Sequence, residues 1–328
     1  MKKSCVLLTR NPDGPLYSSW KNNLSFPIIE ARSFDSDFIF SKYTSIVVTH
    51  DIYRDISEIV LKRIIKNQVP VLVLADGIIE FRNSWTQNHK NSTGVYSPIL
   101  GHKLACIGPS QCRFVESWGN LGKCENVGFP RFDNLEFNFP TNPKPPKILI
   151  CTAKTPWFTS AEKEKIVHSL SDLKDKSKFY EKIGLCNFVW RLTGELPKIF
   201  NINSRDHISI YDDINQSTAV ITTPSTVILE AMLAKRPVAL LDYTNSPTYV
   251  QVAWTINHSE QIESTVTELL EIRKEKMNFQ NVSLNDSLQL KQSANERMVE
   301  LIEKMVFYSE NCKVNGRDLK LPHKILDD

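Results

Sequence analysis

Short apolar runs that end in polar or small residues recur along the chain. They are Cys5–Thr9, Ser45–His50, Val69–Asp76, Leu104–Gly108, Ile148–Thr152, Ala219–Thr223 and Val238–Asp242. These runs are nearly continuous rather than alternating, as expected of strands in a parallel sheet covered on both faces. Helical spacing fills several of the intervals. Ile56–Asn67 repeats apolar residues every three or four positions, and Ser160–Leu173 opens with a Ser-Ala-Glu-Lys cap and carries Ile166, Leu170 and Leu173. Thr226–Lys235, Val266–Lys274 and Asn295–Phe307 are further helical segments. Strand and helix in alternation predict an α/β protein.

The segment Phe137–Lys147 (FNFPTNPKPPK) contains four prolines and no helical period, so it reads as an extended linker. A buried strand, ILICTA, follows at once. The expected organisation is a Rossmann-like half over 1–140, a Pro-rich linker at 141–147 and a second Rossmann-like half over 148–310. A polar tail at 311–328 would pack back on the first half or stay loose. Two such halves would face a cleft, with ligands at the carboxyl ends of the strands.

Length and composition fit this layout. At roughly 100–200 residues per domain, a chain of 328 residues suits two domains. The balance of 40 Lys plus Arg against 37 Asp plus Glu gives a net charge of only +3, too weak to point to nucleic acid. It suits a small anionic ligand or light contact with an anionic membrane surface, and requires neither. The seven cysteines are scattered and form no CxxC, which argues for reduced thiols and a cytoplasmic location over a disulfide or zinc framework. The apolar run Val6–Leu8 is too short for a signal peptide, and no stretch approaches the ~20 apolar residues of a membrane span.

The chemistry concentrates in AVITTPSTVILEAMLAKRPVALLDY, residues 219–243. A strand runs into Thr222, Thr223, Pro224, Ser225 and Thr226, and a helix follows, with Ser225 or Thr226 as its cap. Hydroxyls beside the amide-rich helix start suit a phosphate or diphosphate. Glu230 lies one turn deeper than Thr226 and could accept hydrogen bonds from the vicinal hydroxyls of a ribose. Tyr243, after the next strand, could flank a base or sugar. Each feature alone is common, since hydroxyl caps open many helices. The ordered set of strand, hydroxyls, helix, Glu, Lys-Arg-Pro and strand is more specific.

That set, S-T-V-I-L-E-A-M-L-A-K-R-P-V, resembles the nucleotide-sugar site of GT-B glycosyltransferases, above all those of bacterial capsule and lipopolysaccharide synthesis and the polyol-phosphate transferases allied to them. The resemblance implies that Ser225 and Thr226 hold donor phosphates and Glu230 the ribose. The two-half layout extends it over most of the chain at the level of architecture. Polyol-phosphate and Kdo transferases usually carry Arg-x-His-Pro where this chain has Arg191-Leu-Thr-Gly, which counts against those subfamilies.

Other strand ends complete the set. Lys154, beside Thr152 and Thr155, could neutralise a diphosphate, and Arg191, Thr193 and Gly194 could meet the donor base or phosphate. Asp76 ends a buried strand on a tight turn, with Glu80, Arg82 and Asn83 close behind. Either carboxylate could deprotonate an acceptor hydroxyl. In enzymes similar to these, that strand end carries the catalytic base. His50 could serve as base or acceptor contact, although strand-end histidines are often structural. Gly128-Phe-Pro-Arg131-Phe-Asp133 is similar to the motif that closes the first domain in surface-carbohydrate transferases, and Arg131 could reach the donor from the hinge. Tyr211-Asp212-Asp213-Ile214 precedes a strand and reads as a solvated turn, so no metal or cofactor is expected. The expected function is sugar transfer from a nucleotide-activated donor, bound by the second half, to a bacterial surface glycan or lipid-linked glycan acceptor bound by the first (capsule, lipopolysaccharide O-antigen or similar), with peripheral membrane contact conceivable only through that acceptor. The alternatives are a CDP-activated polyol-phosphate transferase and a non-catalytic nucleotide-binding protein. A dinucleotide oxidoreductase is disfavoured, because no Gly-x-Gly-x-x-Gly follows a strand.

Overall fold

The computed structural model describes residues 4–9, 13–31, 44–50, 55–81, 96–137 and 143–327. In chain order the first elements are β1 (Ser4–Leu8), β2 (Ile28–Ala31), β3 (Thr44–Thr49), α1 (Asp55–Lys66), β4 (Val71–Leu74), β5 (Lys103–Cys106), α2 (Pro109–Ser117) and β6 (Cys124–Asn126). There follow β7 (Lys147–Cys151), α3 (Ser160–Lys182), β8 (Asn187–Arg191), α4 (Leu196–Phe200), α5 (Ile210–Asn215), β9 (Ala219–Thr222), α6 (Val227–Leu233) and β10 (Val238–Leu241). The last are β11 (Trp254–Ile256), α7 (Gln261–Glu271), α8 (Lys274–Ser287) and α9 (Ala294–Val314).

The chain divides into two compact units. The first comprises 1–79, 83–135 and 286–328, and the second 80–82 and 136–285. Each is built on one sheet. The first has strand order β2-β1-β3-β4-β5-β6 and the second β11-β10-β9-β7-β8, with every pairing parallel. The fold is therefore α/β with two Rossmann-like units. In each sheet the chain starts near the middle, lays one strand to one side and then reverses, so the reversal falls at β1/β3 and at β7/β9.

The central strands β3, β4, β5, β7, β9 and β10 are almost wholly buried, which explains their continuous apolar sequence. Buried Val, Ile and Leu side chains each contribute about 1.5–3 kcal/mol through removal from water.

Residues 286–310, expected in the second half, are grouped with the first unit. Met298, Leu301, Ile302, Met305 and Val306 form the apolar stripe of α9 and join the core with Cys5, Leu7, Ile46, Val48, Leu72 and Leu74. Gly128-Phe-Pro-Arg131-Phe-Asp133 fixes the start of that helix. The Asp133 carboxylate accepts from Ser293 Oγ (2.8 Å), the backbone N–H of Ala294 (3.0 Å) and Asn295 (2.7 Å), and Asn295 Nδ2 (2.8 Å). Gly128 has φ +99°, and a Cβ there would stand 2.8 Å from Ala294 Cβ, so glycine is required twice over. Beyond the helix, Lys103 and Glu125 form a buried ion pair at 2.6 Å. Lys103 also donates to the carbonyl of His323 (2.9 Å), and Glu125 accepts the amides of Ile325 (3.0 Å) and Leu326 (3.2 Å). The segment expected as a polar tail is thus partly tied into the first unit.

Candidate functional site

The second unit gathers sequence-predicted residues at the carboxyl ends of β7, β8 and β9. Three threonines stitch these ends together. Thr152 Oγ1 lies 2.9 Å from Thr193 Oγ1 and accepts the Thr193 amide at 3.0 Å. Thr223 donates its amide to the carbonyl of Cys151 (3.2 Å), and its Oγ1 accepts the amide of Ala153 (3.0 Å). The loop after β7 is thereby held between its two neighbours. It ends where Thr159 and Glu162 form a reciprocal capping box that starts α3. The cap is Thr159, one residue before the serine expected from sequence.

Over this framework lies a cavity of about 600 Å³. Lys154, Thr193 and Gly194 line it, together with Lys198, Asn201, Asn203, Ser204 and Asp206. Gly194 has φ +60°, the left-handed conformation that turns the chain sharply after β8. Lys154 and Lys198 are exposed, and neither ammonium is hydrogen-bonded or ion-paired among the described residues. Two lysines against Asp206 leave the cavity cationic, suited to an anionic ligand. The Lys198 to Asp206 part was not foreseen. Its signal in sequence is the run Asn201-Ile-Asn-Ser-Arg-Asp206, which has no apolar period and begins seven residues after the strand-end glycine Gly194.

The other donor-site candidates are placed differently. Thr222 and Thr223 are buried, and Thr222 Oγ1 donates to the carbonyl of Thr223 (2.9 Å). Pro224, Ser225 and Thr226 are half-buried. The Ser225 hydroxyl accepts the amide of Val227 (3.3 Å), whereas Thr226, at the start of α6, makes no side-chain cap. Glu230 is 3% exposed on α6. Burial pushes the Cys151 thiol well up; the Arg191 cation opposes this, and the negative charges of Asp213 and Glu230 add to it.

Arg191 and Tyr243 are committed to protein partners. The Arg191 guanidinium donates to the carbonyls of Arg205 (3.2 Å) and Ile208 (2.8 Å) and to Asp213 (2.9 Å). Arg205 completes the cluster with a 2.5 Å bond to the other Asp213 oxygen. Asp213 is 3% exposed on α5, so one member of the acidic pair read as a solvated turn lies in a buried ion cluster, where two neighbouring arginines offset the cost of its burial, while Asp212 is exposed. Tyr243 donates its hydroxyl to Asp172 of α3 (3.0 Å) and meets His168 edge to face. Burial, then this carboxylate, pushes the phenol pKa up.

Candidates from the first half are dispersed. Asp76 is exposed just past β4, and Glu80 forms an isolated antiparallel bridge with Thr248 and is grouped with the second unit. His50 follows β3 and contacts Tyr17. The Arg131 guanidinium lies over Phe129 and Phe132, 4.5 and 5.1 Å from the ring centroids. Arg82 lies outside the described residues. No group of three or more His, Cys, Asp or Glu is placed to hold a metal ion, and no helix is long and apolar enough to cross a membrane, both among the described residues.

Two all-parallel sheets that each reverse strand order at the first strand can be matched against known architectures. No protein-family model and no curated protein sequence matches the chain. Solved structures do match over nearly all of it. An S. aureus MnaA–UDP co-structure aligns at 15% identity with a TM-score of 0.60, covering 92% of this chain and 96% of that one. This is the GT-B fold. The wall teichoic acid polymerase TagF soaked with CDPG aligns at 12% identity and a TM-score of 0.57, over 94% of this chain and 89% of that one. The UDP-GlcNAc 2-epimerase of Methanocaldococcus jannaschii, in complex with UDP-GlcNAc and UDP, aligns at 14% identity and 0.57, over 92% and 99%. At these identities the likeness of the GT-B chain to its neighbours is one of architecture.

Proposed function

We propose that the protein is a glycosyltransferase that moves a sugar from a nucleotide-activated donor to a cell-surface glycan acceptor. One observation carries this reading: the cationic 600 Å³ cavity at the carboxyl ends of a doubly wound sheet, lined by Lys154, Thr193 and Gly194. The carboxyl ends of the strands are the side on which open α/β sheets take ligands. Support comes from neighbours of the same fold whose structures were determined with UDP, UDP-GlcNAc or CDPG.

In this reading Lys154 and Lys198 neutralise the diphosphate, and Ser225 and Thr226 contribute at its flank. Glu230 holds the ribose. Thr222, Thr223 and Thr152 act from behind by fixing the loop that carries Lys154. Arg191 shapes the loop after β8 through Asp213 instead of touching the donor. Asp76 or Glu80 takes the acceptor proton. The leaving nucleotide is stabilised by lysines and backbone N–H groups, without metal.

The experiment is a melting series with UDP, GDP, dTDP and CMP, followed by incubation with the sugar form of the nucleotide that stabilises. A nucleotide present at 100 times its Kd raises stability by about 2.7 kcal/mol. Transfer releases that nucleotide in proportion to acceptor and proceeds in EDTA. Release of an epimerised sugar would instead favour the chemistry for which the 2-epimerase neighbours are named. The absence of any nucleotide effect would overturn the reading.

A further inference from the structure

The cavity wall formed by Asn203, Ser204 and Asp206 belongs to a segment between α4 and α5 that has no ladder or helix of its own. Arg205 stands in the middle of it. Its two neighbours line the cavity, whereas its own side chain runs to α5, where Nη2 and Nε meet the two carboxylate oxygens of Asp213 at 2.5 and 3.3 Å. The Arg205 carbonyl accepts the amide of Ile208 (2.9 Å) and the Arg191 guanidinium (3.2 Å). Arg205 is thus gripped by both its main chain and its side chain. The turn beside it is tied locally: Ser204 Oγ donates to the Asp206 carboxylate (2.6 Å) and accepts the Asp206 amide (3.3 Å).

A segment without a ladder has many backbone conformations open to it, and a ligand that must order it binds more weakly. A guanidinium fork on a carboxylate removes that freedom before the ligand arrives, because two bonds fix direction as well as distance. The Asp213 side chain is 2% exposed, so water competes little for these bonds. Charge then sorts what the cavity holds. The Lys154 and Lys198 ammonium groups attract phosphate, while the Asp206 carboxylate repels it and accepts only from N–H or O–H donors. Asn203, Ser204 and Asp206 therefore suit the uncharged part of a ligand whose phosphates sit at the lysines. In a nucleoside diphosphate that part is the nucleoside.

We propose that Arg205 is a positioning residue that anchors the wall of Asn203, Ser204 and Asp206, so that this wall binds the nucleoside of the donor while Lys154 and Lys198 take its phosphates. The nucleoside rests on the transferase reading above, whereas the anchor does not. Affinity for the phosphates and selection of the nucleotide are then divided between two sets of residues, and Arg205 serves only the second.

The test uses the full-length protein. Hydrogen exchange is followed first without ligand. In Arg205→Met the amides of Asp206 and Ile208 are expected to exchange at least tenfold faster, with β7, β8 and β9 unchanged. Equal rates in variant and wild type overturn the anchor. Calorimetry then measures binding of inorganic pyrophosphate and of the nucleotide that stabilises the wild type. Arg205→Met is expected to raise the Kd of the nucleotide at least tenfold and that of pyrophosphate less than twofold. General loss of structure would weaken both alike; that result, or unchanged nucleotide binding, overturns the nucleoside role. Arg205→Lys keeps the cation and loses the fork, and is expected to fall between wild type and Arg205→Met in both measurements. It carries the same two tests if Arg205→Met does not fold. A wild type that binds no nucleotide overturns the transferase reading and the nucleoside role with it, while the exchange rates still decide the anchor.

Discussion

Lys154 and Arg191 are both strand-end cations, yet the structure gives them opposite employment. Lys154 stands exposed at the cavity without an ion-pair partner among the described residues, whereas Arg191 bridges two carbonyls and a buried Asp213. Truncating each should therefore give opposite results. Lys154→Ala should leave the melting temperature unchanged and weaken binding of the stabilising nucleotide by roughly 10- to 100-fold, the loss of one charge-assisted bond. Titration calorimetry reads this directly. Arg191→Met should remove roughly 1–3 kcal/mol of stability, below the usual penalty for breaking a buried pair because Arg205 still faces Asp213. Denaturant unfolding of the two variants separates a ligand-facing lysine from a scaffold arginine.

At the level of elements, the strand ends are set by side-chain bonds that continue the ladders, as with Thr152, Thr193 and Thr223. His102 does the same at the amino ends of β4 and β5 in the first sheet. Just before β5, its Nδ1 accepts the amide of Val71 at the start of β4 (3.0 Å). Burial, helped by the charge on Lys123, lowers its pKa to about 4. The unfolded chain takes up this proton near pH 6.5 and the folded chain only near 4, so stability falls as pH drops through that window. The loss amounts to roughly 3 kcal/mol at most. Urea melts from pH 7 to 4 should show it, and His102→Gln should flatten the curve. The buried strands β3, β4, β5, β7, β9 and β10 could be read from sequence, because a strand covered on both faces must be apolar throughout. Short or edge strands escaped: β2 is half exposed, and β6 and β11 hold only three residues each. Within the site, Lys154, Thr193 and Gly194 could be foreseen from strand ends. The buried roles of Asp213 and Tyr243 could not, since both depend on partners distant in sequence.

Over the whole molecule, the chain leaves the first unit near residue 135 and returns to it at 286. Asp133 and α9 make the return specific, through four hydrogen bonds at the helix start. Asp133→Ala should cost about 1–2 kcal/mol, the usual worth of a helix N-cap. Amide exchange should show the loss in α9 and the strands it covers, leaving β7–β11 protected; uniform loss through both sheets would contradict this. The returning helix also bears on biosynthesis. Cys5 and Leu7 share a core with Met305 and Val306, so the earliest strand waits on the ribosome for a partner made some three hundred residues later. Residues 136–285 face no such delay. During translation the second unit can complete its core before the first sheet receives its covering helix α9.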